Sequence, residues 1–132
     1  MALSKIIEKI TLGEWLETDL DDQSYAYLIA VKAASAQEGD IIAPKDVRQI
    51  VFELGIESGV TNKPLTIQRV VLNFNDEISP NNDLNEIARG AKLTHLPGDK
   101  IFIKCVCLDD GKRQIKDGTV NISVNINSMK LV

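Results

Sequence analysis

Four apolar residues near the start of the chain, Leu3, Ile6, Ile7 and Ile10, stand at i, i+3, i+4 and i+7. That spacing lines one stripe of a short amphipathic helix, with Ser4 placed to cap its start and Gly13 to end it. Trp15, Leu16 and Leu20 follow as a brief apolar segment of undecided state. Between residues 22 and 37, Tyr25, Leu28, Ile29, Ala33 and Ala36 resume the helical spacing, and the alanine-rich run 30–36 has high helix propensity. Residues 25–31 alone would also pass for a strand. The clearest helical signal covers residues 44–54. Pro44 suits a first turn, where its missing N–H has no intrahelical partner, and Asp46 meets the positive end of the helix dipole. Val47, Ile50, Val51 and Leu54 make the stripe, and Gly55 follows as a left-handed cap.

The second half reads mainly as strands. Residues 65–74 (LTIQRVVLNF) are rich in β-branched side chains. A loop containing Pro80-Asn81-Asn82 comes next, and Asn82 or Asp83 caps a short predicted helix over Leu84, Ile87, Ala88 and Ala91. Pro97-Gly98-Asp99 turns the chain into a strand at 100–108. Asp109-Asp110-Gly111 is a hairpin signal, and a second turn at Asp117-Gly118 follows a short strand at 112–116. In the last strand Val120, Ile122, Val124 and Ile126 alternate with Asn121, Ser123, Asn125 and Asn127, the pattern of a strand with one buried face and one wet. Met129 and Leu131 break that parity, which predicts a bulge near Asn127-Ser128. The expected fold is α+β in a single domain, 1–132. A helical N-terminal half, about 1–60, packs against an antiparallel sheet, sandwich or barrel-like, formed by about 65–132.

The chain of 132 residues carries 15 basic and 19 acidic side chains, a formal charge of −4. Residues 1–66 hold 6 basic and 11 acidic groups and residues 67–132 hold 9 and 8, so the acidic excess lies early, around Glu14, Glu17, Asp19, Asp21 and Asp22. Affinity for nucleic acid through phosphate neutralisation needs clustered Lys and Arg, which this balance disfavours. A chain this long buries roughly 70% of the surface its unfolded form exposes, a core that needs no disulfide staples. The longest uncharged apolar run, 25–31, is far short of the ~20 residues that span a bilayer. The N-terminus has no secretory h-region, so a soluble protein of the cytoplasm, or one carried in a virion, is expected.

The candidate chemistry is sparse. Cys105 and Cys107 stand two apart on a predicted strand, which points both to one face with poor disulfide geometry. Together with the single histidine, His95, they would supply at most three ligands to zinc, and their hydrophobic setting reads instead as core cysteine. Asp21-Asp22, Asp76-Glu77 and Asp109-Asp110 are adjacent carboxylates, whereas general acid–base work needs two carboxyls converging across a cleft. The glycines are dispersed and form no phosphate-cradling loop. No catalytic residue, cofactor-binding residue or metal ligand is therefore assigned, and the protein is read as non-enzymatic, with no cofactor and no small-molecule substrate. Residues 44–72 resemble a helix-turn-helix superficially, with Lys63, Gln68 and Arg69 offered to a groove, which leaves a DNA-binding regulator as the alternative. The leading expectation is a structural or interaction protein that assembles as a homo-oligomer or on a larger complex. A small accessory subunit of a phage virion, in tail or capsid, matches this general character. Both ends of the chain carry the candidate interface: Leu3, Ile6, Ile7 and Ile10 at one, and Asn121, Ser123, Asn125, Met129 and Leu131 at the other. The wet, low-charge strand lacks the lysines and prolines that blunt an exposed edge.

Overall fold

A computed structural model of the chain describes residues 4–18, 26–33, 41–42, 46–57, 63–73, 86–92 and 99–129. Within them the protein is built of strands: β1 (Ser4–Ile7), β2 (Ile10–Thr11), β3 (Trp15–Glu17), β4 (Ala26–Ala33), β5 (Gln49–Glu57), β6 (Leu65–Asn73), β7 (Glu86–Lys92), β8 (Lys100–Asp109), β9 (Gln114–Ile115), β10 (Thr119–Val120) and β11 (Ile122–Met129). No α-helix occurs among the described residues, which overturns the expected helical N-terminal half and the α+β class.

Burial explains the misleading helical spacing. Every residue of β5 from Ile50 to Ile56 is buried, because this strand is covered on both faces. Val47, Ile50, Val51 and Leu54 are therefore a helix-like subset of a nearly continuous apolar run, the case in which periodicity cannot separate a buried strand from a helix. In β4 too, Tyr27, Ile29, Ala30 and Val31 are all buried, with only Leu28 between them half-buried, so the run carries no alternation to mark it as a strand. In β1, Ile6 and Ile7 go to opposite faces of a strand instead of sharing a stripe. The predicted helix over 84–91 is replaced in its described part by β7. The helix-turn-helix segment is likewise an antiparallel pair, β5 with β6.

Two sheets form the body. One runs β1-β11-β4-β7 and the other β3-β8-β5-β6, with β9 paired to β8 and the short ladder β2–β10 beside them. All the pairings are antiparallel. Setting aside the two-residue strands β2, β9 and β10, eight strands remain, and numbering them in chain order gives 1-8-3-6 in one sheet and 2-7-4-5 in the other. That order is the jelly-roll wrapping of a β-sandwich. The core lies between the sheets. Tyr27, Ile29 and Val31 of β4 and Ile122, Val124 and Ile126 of β11 meet Ile50, Phe52 and Leu54 of β5 and Ile101, Ile103 and Leu108 of β8.

Two local features depart from the expected pattern. The β5–β8 register shifts between Val51 and Phe52, so that Phe52 opposes Cys105 while Val51 opposes Cys107. Val106 is the extra residue of this bulge, and it reverses the side-chain parity beyond it. Cys105 consequently joins the core cluster with Phe52, while Cys107 falls with Val51 on the other side of the sheet, so the two thiols do not share a face. In contrast, no bulge forms at Asn127-Ser128. The β11–β4 register runs unbroken from Ser123 opposite Lys32 to Met129 opposite Ala26, which leaves Met129 at the same parity as Asn125 and Asn127. Local turn chemistry is as the sequence predicts around Gly111 and Gly118, which hold φ of 91° and 99°, values open to glycine.

Candidate interaction surface

Directly opposed residues in antiparallel strands share a face, so the registers assemble the outer surface of the β1-β11-β4-β7 sheet row by row. One row is Ile6, Asn125, Ala30 and Ala88. The next is Ser4, Asn127, Leu28 and Gly90. Neither contains a charged residue. Ile6 is 58% exposed. Asn125 sits between Ile6 and Ala30, two side chains with no hydrogen-bonding group, and its Oδ1 is closed to water with no hydrogen-bond partner.

This pairing joins the two ends of the chain that the sequence singled out. Ile6 lies on the outer face. Ser123 and Asn125 are half-buried on the side of β11 away from the core, since Ile122, Val124 and Ile126 between and beside them are buried, and Asn121 is half-buried between β10 and β11. Ile7 packs against the core and Ile10 is part of it. Met129 holds its place at the end of β11, and Leu3 and Leu131 lie outside the described residues.

The outer face of the other sheet has the opposite character. Trp15, Lys104, Glu53 and Arg69 stand directly opposite one another across β3, β8, β5 and β6. The Glu53 carboxylate accepts a hydrogen bond from Arg69 Nη2 at 2.9 Å and one from Thr66 Oγ1 at 3.1 Å, and Lys104 Nζ lies 3.4 Å away. The same ammonium stands 4.4 Å from the centroid of the Trp15 ring, a cation–π contact. Burial opposes ionisation of Glu53, but the hydrogen bonds from Arg69, Thr66 and Lys104 outweigh it and hold the carboxyl below its ordinary range. The Trp15 ring covers Gly55, where an added Cβ would lie 2.7 Å from Cη2. Sequence reasoning missed this row. Its signal was the lone acid Glu53, followed by Gly55, inside the apolar run 50–56. Beyond it on β6, Leu65 and Ile67 are exposed.

An open cleft of about 500 Å³ is lined by Ile42, Asp46, Arg48, Asp110, Lys112 and Arg113. Its charges are mixed in sign. Asp110 is engaged within its own turn, accepting from the backbone N–H groups of Lys112 and Arg113 at 2.9 Å each, which hold its carboxyl below the usual value. Burial and the neighbouring Cys107 push the Cys105 thiol up to about 12, so it is neither a nucleophile nor a ready metal ligand at neutral pH. His95 lies outside the described residues. Among the described residues no group of three or more His, Cys, Asp or Glu side chains is placed to hold a metal ion, and no helix is long and apolar enough to cross a membrane.

Fold and surface thus define a β-sandwich of jelly-roll order with one sheet face uncharged at its centre and the other tied up in its own ion pairs. No family model matches the chain, and no curated protein matches it in sequence. Among solved structures the chain is similar to Eiger TNF from S. frugiperda, with a TM-score of 0.41 and 9% identity over 96% of this chain and 87% of that one. The architecture described here rests on the strand order and not on that likeness.

Proposed function

We propose that this protein is a non-enzymatic interaction protein that assembles with copies of itself through the outer face of the β1-β11-β4-β7 sheet. The observation that carries this reading is Ile6, 58% exposed on β1 directly opposite Asn125 of β11, with the uncharged Asn127 and Leu28 paired in the next row. Charged residues make up 26% of the chain, so their absence from the middle of a sheet face needs a reason. A face of one sign repels its own copy, whereas a neutral one does not. A carboxamide both donates and accepts, so a surface bearing Asn125 and Asn127 offers a symmetry mate the groups it needs. A subunit of a phage virion, in tail or capsid, is the setting we favour, since jelly-roll sandwiches recur in capsids; the fold alone hosts many functions. Light scattering across a wide range of concentration tests the proposal. The expected mass is twice 14.6 kDa or a higher whole multiple, with Ile6→Lys shifting the protein toward monomer while it remains folded. A wild-type monomer throughout would refute self-assembly.

A further inference from the structure

We draw no further inference here: the strongest candidate, the open cleft between Asp46 and Arg48 ahead of β5 and the turn joining β8 to β9, sets the carboxylates of Asp46 and Asp110 against the cations Arg48, Lys112 and Arg113, with Asp110 already paired to Arg113 and to its own turn, and among the described residues nothing points to a ligand that this balance of charge would select.

Discussion

Replacing Glu53 by Gln removes one charge from the middle of β5 while keeping the side chain's shape. Glu53 is only 8% exposed, and its carboxylate holds Arg69 at 2.9 Å and Lys104 at 3.4 Å. The two partners contribute unequally. The Arg69 side chain is 63% exposed, so it returns to water at little cost, and its pair is worth no more than ~1 kcal/mol. Lys104 is mostly covered and remains pinned by Trp15; a hydrogen bond to a charged group in such a place is worth about 1.5–3 kcal/mol. Gln retains an acceptor for one of them, which lowers the combined loss to about 2 kcal/mol. For a chain of this length that corresponds to a fall of about 7 °C in Tm. The sign of the pH dependence follows from the lowered Glu53 value. The contribution is fully present above the unfolded-state value, ordinarily 4.5, and is lost as pH falls through the lower folded one. Thermal and urea unfolding of both proteins at equal concentration, from neutral to strongly acid pH, measure it. The gap between wild type and Glu53→Gln should be widest near neutrality and should close in acid. A variant as stable as wild type at neutral pH, or a gap that persists in acid, would refute the reasoning, and a double-mutant cycle with Lys104→Met would show which pair fails.

Gly55→Ala should destabilise the fold by about 1–3 kcal/mol through overpacking, because the new methyl meets Trp15 Cη2 at 2.7 Å, Cζ3 at 2.9 Å and the Leu65 carbonyl oxygen at 3.1 Å. Urea unfolding gives the size, and the emission of Trp15, the single tryptophan, should shift as the ring is displaced; an unchanged spectrum and stability would contradict the packing. Cys105, buried in the core with its thiol pushed up to about 12, should resist alkylation in the native protein at neutral pH and react on unfolding, which mass spectrometry after timed labelling can follow. Rapid native labelling of Cys105 would mean that this part of the sandwich opens readily.

What the chain declares on its own is whatever has an exposed side or a local turn. The alternation along β11 and the Gly111 and Gly118 turns are readable because each depends on residues adjacent in sequence: a wet face supplies the polar half of a period-two pattern, and a positive φ calls for glycine. β4 and β5 are unreadable for the converse reason. Residues of both parities are buried in them, so apart from Glu53 the polar half of the pattern is missing, and any run of apolar residues contains positions spaced like a helix. The parity of Cys105 and Cys107 was likewise beyond local rules, since a bulge set by pairing with Val51 and Phe52 reverses it. The candidate interface divides in the same way. That Ser123, Asn125 and Asn127 form one polar, uncharged face of a strand is a property of the sequence by itself, whereas the place of that strand between β1 and β4, and not at an edge of the sheet, is not. That Ile6 stands in the same row as Asn125, that Ala30 closes the other side, and that the amide oxygen between them has no donor were decided by the pairing of strands from opposite ends of the chain. Strand pairing joins residues distant in sequence, and only the folded sandwich brings them onto one surface.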